Sequence, residues 1–381
     1  MSAPEATWPK PLPLASPDVG ERELELVRDV LTSGTLALGP YARDFEARMA
    51  AAAGREHAVS CSSGTAGLHM AVRSVGIRDD DEVITTPFSF IASANCLLYE
   101  RAIPRFVDIE EDTLGLDPDL VEAASGPRTV GVLPVHVFGR PSRILELEAI
   151  ATRRGWHLIE DACEALGSRI GDRPMGSFGA ASVFAFYPNK QITTGEGGVV
   201  VTDDADLAED LRSLRNQGRD TDGTWLNHVQ LGFNYRLDEL SSAVGVAQLE
   251  RLDELQTSRA RVARSYADAL DGIAGLTLPT AGEDETVDWF VYVVRLHADI
   301  DRLRVMEDLA AVGVPSRPYF SPLHLQPLYR RELGHGPGDF PVTERVAAST
   351  LALPWSTRMS DADVGRVAGA LSHAIERQSR A

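Results

Sequence analysis

The sequence predicts an α/β protein in which a large, mostly parallel sheet is wrapped by helices and followed by a smaller α+β unit. Short runs rich in Val, Ile and Phe alternate with helical repeats as far as about residue 240. Those runs are continuous rather than alternating, as in strands buried on both faces. Beyond residue 240 the rhythm changes to a long helical pattern and then to an isolated strand–helix pair. The expected division is residues 1–245 for an N-terminal arm and large domain, and 246–381 for a small domain.

The prolines of "MSAPEATWPKPLPLASPDVGERE" predict an extended arm, and nothing in it has the apolar core of a signal peptide. "GERELELVRDVLTSG" has apolar residues at helical spacing and a glycine stop, and "ARDFEARMAAAAG" repeats the pattern. From "EHAVSCSSGTAGLHMAVRSVG" to "WHLIEDACEALG" strands and helices alternate. "LDELSSAVGVAQLERLDELQTSRARVARSYADALDGI" reads as one extended helix, with "WFVYVVRLH" a strand and "RLRVMEDLAAVG" a helix after it.

A chain of 381 residues with 44% hydrophobic and 24% charged residues fits a globular protein with a large core. Its net charge of −19 argues against nucleic acid or an anionic membrane as main partner. Cys61, Cys96 and Cys163 are widely spaced, which suggests neither a disulfide framework nor a metal site and points to a reducing cytoplasm.

The stretch "FAFYPNKQITTGEGGVVVT", residues 184–202, sets Lys190 in a turn between runs expected to be strands at 181–187 and 199–202. A lysine there is either an ordinary loop residue or a reactive amine. Two further features favour the amine. In "WHLIEDACEALG" a strand runs into Asp161, at the end where ligands of open α/β sheets bind, although an acid there also serves as a helix cap. In "SCSSGTAGLHMAV" a strand ends in Ser62, Ser63, Gly64 and Thr65 before a helix, which makes either an anion site or a plain serine cap. No Walker spacing and no GxGxxG accompanies it. An amine for a Schiff base, an acid for a pyridine nitrogen and a phosphate cup together describe a pyridoxal phosphate site. Phe90, in "TTPFSFIASAN", is the candidate ring against the cofactor's face, with core packing as its alternative.

"EDACEALGS", "GSFGAASVFAFYPNKQITTGEGGVVVTDD", "SCSSGTAGLHMA", "LGFNYRLDELSSAVGVAQLERL" and "RPYFSPLHLQPLYR" resemble the signature blocks of the DegT/StrS family of sugar aminotransferases. The resemblance covers nearly the whole chain. It implies a fold-type-I pyridoxal phosphate enzyme, a homodimer with composite active sites, converting a nucleotide-linked keto-sugar to an amino-sugar with L-glutamate as donor. It makes Lys190 the catalytic lysine that carries the cofactor and later moves a proton, and Asp161 the partner of the ring nitrogen. Phe90 then stacks on the ring, Gly64, Thr65 and Ala66 form the phosphate turn, and Asn234 reaches the phosphate of the other subunit. Arg236 and His324 become substrate contacts.

Two positions depart from the family pattern. A serine common five residues before the lysine is Ala185 here, which removes a charge-assisted hydrogen bond of roughly 1.5–3 kcal/mol unless Ser182 supplies it. Glu164 stands where many members have glutamine or histidine beside the cofactor's phenolic oxygen. The rival readings are an aminotransferase acting on a cyclitol ketone, a dehydratase of the same family and a non-catalytic cofactor-binding regulator. Lys190 opposes the dehydratase, which keeps histidine there. The regulator would be expected to have lost Lys190 or Asp161.

Overall fold

Seven strands form the large sheet in the spatial order His57–Cys61, Gly198–Thr202, Ala181–Ala185, His157–Asp161, Thr129–Leu133, Glu82–Thr85 and Ile103–Phe106. The computed structural model describes residues 11–220, 224 and 226–379. The last five of these strands pair in parallel, whereas Gly198–Thr202 runs antiparallel to both its neighbours. The reason is length. The connection from Ala185 to Gly198 contains no helix, and a parallel return needs a crossover, usually helical. The Lys190 segment is therefore a wide hairpin loop at one end of the sheet.

Both faces of the sheet are covered, as continuous apolar strands require. Leu68, Leu97 and Leu211 of helices Gly64–Ser74, Ala92–Tyr99 and Ala205–Arg215 pack with Val183 and Val200. Phe45, Met49, Leu147 and Val246 of Pro40–Ala53, Ile144–Arg154 and Glu239–Glu250 pack with Phe184, Val199 and Val201. One buried acid ties this second layer together, because Glu239, 0% exposed, accepts the N–H groups of Gly39, Tyr41 and Ala42, each at 2.9 Å. They are donors at a helix start with no intrahelical acceptor.

The long helical pattern is two helices, Glu239–Glu250 and Leu252–Leu270, separated at Arg251 (φ −111°, ψ 11°). Leu252 and Leu255 of the second helix pack with the large core, while Val262, Tyr266 and Leu270 pack with a second core under the sheet Leu276–Thr277, Tyr292–Leu296 and Thr350–Leu353. We propose a large unit to about residue 245 and a smaller one beyond it, bridged by this helix. The N-terminal arm crosses to the smaller unit. Leu12 N–H donates to Gly313 O at 3.1 Å, and Leu14 O accepts from Trp355 N–H at 2.9 Å.

Gly198 is where the sheet meets the turn at Ser63. A Cβ built on it would lie 2.5 Å from the carbonyl oxygen of Ser63 and 2.8 Å from the nitrogen of Gly64, both backbone atoms that cannot rotate away. Gly198→Ala should therefore cost about 1–3 kcal/mol, the usual range for overpacking. Denaturant unfolding checks it, and an unchanged midpoint would mean that the turn moves freely.

Candidate active site

The parallel strands end on a cavity of about 500 Å³ lined by residues from widely separated stretches of the chain. Strand His157–Asp161 delivers Asp161, 4% exposed, whose Oδ2 accepts from Ser93 Oγ at 2.7 Å and whose Oδ1 accepts from Cys163 N–H at 3.1 Å. Ser93 is in turn 2.8 Å from Ser89 Oγ. Asp161 is thus fixed by donors rather than capping a helix, since none starts immediately after it.

Lys190 faces the same cavity. Its Nζ is 3.3 Å from Glu164 Oε1 and 4.0 Å from the centre of the Phe290 ring. The other carboxylate oxygen of Glu164 accepts from Phe138 N–H at 3.0 Å. Burial raises the Glu164 carboxyl above its ordinary value and the nearby Asp161 charge adds to this, while Lys190 and the Phe138 N–H pull it back. Among the described residues the site carries three carboxylates, Asp161, Glu164 and Glu196, against the one amine.

Helix Gly64–Ser74 points its start at the cavity. Ser63 is its cap, accepting the Ala66 N–H at 3.1 Å. The N–H groups of Gly64 and Thr65 belong to the first helical turn, where no carbonyl precedes them, and both residues line the cavity. Ala66 does not line it. A Cβ on Gly64 would lie 2.7 Å from that of Ala185, so the turn sits directly on the strand preceding the lysine loop. Phe90 is 60% exposed at the cavity wall, which rules out core packing for it.

Besides Ala66, four of the expected residues lie off the cavity wall. Ser182 pairs in register with Glu160, one residue off Asp161, so the two-residue period of a strand turns it to the opposite face. There its hydroxyl donates to Glu160 Oε2 at 2.7 Å, and it cannot replace the missing hydroxyl at Ala185. His324 is 0% exposed and set against Phe340, with Nε2 3.0 Å from Glu344, so it is an interior histidine of the smaller unit rather than a contact in this cavity. Arg236 donates to Asn216 Oδ1 at 2.9 Å and is absent from the cavity wall. Asn234 is exposed and also absent from it. Its neighbour Tyr235 accepts the Ser62 N–H at 2.7 Å, which sets the segment beside the helix start.

Ser89, Ser93, Tyr187, Phe290 and Tyr319 line the cavity without having been singled out in sequence. Ser93 lies in helix Ala92–Tyr99 and Ser89 in the bend just before it. Phe290 and Tyr319 come from the smaller unit, and no local pattern announces them.

These residues suit pyridoxal phosphate. They offer an amine beside a carboxylate, a fixed acid at the strand end, free N–H groups at a helix start and an exposed ring, in a cavity of suitable volume. The fold and site define a cofactor-dependent enzyme of the aminotransferase class. The chain belongs to the DegT/DnrJ/EryC1/StrS aminotransferase family, whose model matches residues 17–372. It is 36% identical over 366 residues to the GDP-perosamine synthase of Caulobacter vibrioides, covering 95% of this chain and 98% of that protein. The Bacillus subtilis spore coat polysaccharide biosynthesis protein SpsC is 35% identical over 378 residues, covering 96% and 97%. The crystal structure of DesI in the presence of its TDP-sugar product superposes with a TM-score of 0.90 at 36% identity, covering 98% of this chain and 96% of that one. The protein is a pyridoxal phosphate-dependent sugar aminotransferase. Among the described residues no helix is long and apolar enough to cross a membrane.

Glu164 supplies a direct test of the site's electrostatics. With the cofactor bound, the wild-type visible absorbance should titrate with a midpoint above the ordinary carboxylate range, because the group protonates there as pH falls. Glu164→Gln keeps the shape and the Phe138 contact, so that transition should vanish while stability changes by less than about 1 kcal/mol. An identical titration in the variant would separate Glu164 from the cofactor.

Proposed function

We propose that the enzyme transfers an amino group from L-glutamate to a nucleotide-linked ketohexose, and that it works as a homodimer in the cytoplasm. The observation that carries the reading is the enclosure of the Lys190 amine, between Glu164 at 3.3 Å and Phe290 at 4.0 Å, in the same cavity as Asp161 and the start of helix Gly64–Ser74. Bound pyridoxal phosphate supplies an electrophilic carbon for the lysine and a ring that accepts electrons when a substrate C–H proton leaves. Lys190 would hold the cofactor at that carbon, and its amine, once released, would carry the proton between the substrate and cofactor carbons. Positioned proton transfer of this kind contributes roughly 100- to 10,000-fold in rate. Asp161, held in place by Ser93 and the Cys163 N–H, would face the ring nitrogen. Gly64 and Thr65 would hold the phosphate, and Phe90 would cover the ring.

The names of the relatives support a nucleotide sugar, since one is a GDP-perosamine synthase and another was crystallised with its TDP-sugar product. Exposed Leu36, Leu38, Leu226, Val229 and Leu231 support a second chain, which would cover them and receive Asn234 at its own phosphate turn. Arg236, on the same segment, would follow Asn234 toward the partner's substrate.

The acceptor is tested by loading the enzyme with pyridoxamine phosphate and offering keto-sugars on different nucleotides, free keto-sugars and inososes. Return of the wild-type visible band with a nucleotide-linked ketohexose alone is the expected result, and return with inososes only would move the assignment to a cyclitol acceptor.

Composite sites predict complementation. Lys190→Ala and a disabling Asn234 substitution should each leave almost no activity, whereas mixed chains form dimers with one site doubly impaired and one intact. Activity should therefore reappear as subunits exchange. Exchange proved by native mass spectrometry without recovered activity would return Asn234 to its own chain.

A further inference from the structure

Lys190 is held at its amine by Glu164 and Phe290, and at its backbone by a residue outside the cavity. Arg259, on helix Leu252–Leu270 and 7% exposed, donates from Nη2 to the carbonyl oxygens of Lys190 at 2.7 Å and Gln191 at 3.3 Å. From Nη1 it donates to the carbonyl oxygen of Trp289 at 3.1 Å. One guanidinium thus joins the lysine turn to the segment that carries Phe290. The Gln191 side chain makes a parallel tie, donating to the carbonyl oxygens of Glu164 and, at 2.9 Å, Asp288.

A buried cation bonded only to carbonyls is costly without an anion nearby. Asp288 is that anion. It is 6% exposed, it acts on Arg259 electrostatically, and neither of its carboxylate oxygens has a partner in hydrogen-bond geometry. Its backbone N–H is used separately, donating to Ser168 Oγ at 2.9 Å. A buried carboxylate with the Gln256 amide nearby and a buried arginine acting on it is explained by charge compensation rather than by turn formation.

We propose that Arg259, neutralised by Asp288, is a positioning residue that fixes the backbone of Lys190 and so sets where the lysine amine stands. The inference rests on the reading of Lys190 as the cofactor-bearing lysine. Arg259 acts only through that lysine. Releasing three carbonyls from one rigid fork frees the turn to shift, and a misplacement of about 1 Å in a reacting group costs up to about 100-fold in rate.

The couple also responds to pH. Burial pushes the Asp288 carboxyl up to about 7 against the pull of Arg259 and the Gln256 amide. Arg259 is the charged group facing Asp288, and Asp18 of the N-terminal arm acts on Arg259 as well. Above that pH the couple is charged and the hold on Lys190 is complete. Below it Asp288 is neutral and the hold loosens. The sign for stability is opposite: a raised carboxyl stabilises the fold fully below the ordinary carboxylate range, and that contribution is lost as pH rises through about 7.

The test uses the loaded enzyme as wild type, Asp288→Asn and Arg259→Lys. Borohydride reduction with peptide mapping first establishes that Lys190 carries the cofactor. The visible absorbance, kcat and KM are then followed from pH 5.5 to 8.5, with melting temperatures alongside. In the wild type, kcat and the visible band should change together near neutral pH. Asp288→Asn should lose the near-neutral change in kcat and in the visible band that Asp288 causes, leaving any change due to Glu164, with KM for the donor unchanged, and its melting temperature should gain on the wild type as pH rises toward 7. Arg259→Lys keeps a charge but cannot span three carbonyls, and should lower kcat by up to about 100-fold at every pH with little effect on KM. If Arg259→Lys does not fold, the Asn variant decides alone. Wild-type profiles of kcat and absorbance in Asp288→Asn would overturn the proposal even with Lys190 labelled. Failure to label Lys190 in the wild type would overturn the functional reading, and this inference with it.

Discussion

The amine of Lys190 stands in a cavity whose other charged groups, among the described residues, are carboxylates, and its position depends on contacts from both units of the fold. Glu164 comes from the loop after the strand bearing Asp161, and Phe290 comes from the entry to the strand Tyr292–Leu296. The Phe290 contact exists only once the smaller unit has packed on the larger one. The local chain contributes only a turn, with Lys190 N–H donating to Tyr187 O at 2.9 Å.

Among the described residues lining the cavity, one amine shares the wall with Asp161, Glu164 and Glu196. Positive potential for a phosphate then has to come from elsewhere. The helix start at Gly64 and Thr65 provides it through N–H groups alone, which explains how the site dispenses with an arginine of its own chain at that point. Close approach makes this possible, since Gly198 and Gly64 both stand where a side chain would collide with the opposing segment.

Much of this was legible in the sequence because it is local. The alternation of strands and helices, the serine-capped helix start and the acid at the strand end each follow from a few adjacent residues. Ser182 was misjudged because one residue of register decides which face of a strand a side chain takes, and the sequence alone did not fix the register against Asp161. The antiparallel strand at Gly198 was obscured by the same continuous apolar pattern that marks parallel strands. His324 sits in a motif whose residues sequence reasoning linked to substrate, yet its pairing with Glu344 arises from helices that pack only in three dimensions. The roles of Phe290, Tyr319 and Arg259 could not be read locally, since each joins Lys190 or its cavity across 69 or more positions of chain.

The central claim is that Lys190, Asp161 and the helix start at Gly64 act on one cofactor molecule. A crystal structure of the chain grown with pyridoxal phosphate tests it most directly. Continuous density should join Nζ of Lys190 to the cofactor, with the phosphate on the N–H groups of Gly64 and Thr65, the ring nitrogen facing Asp161 and the Phe90 ring over one face. A cofactor bound with its phosphate away from that helix start, or with Lys190 unattached and Asp161 out of reach, would contradict the account.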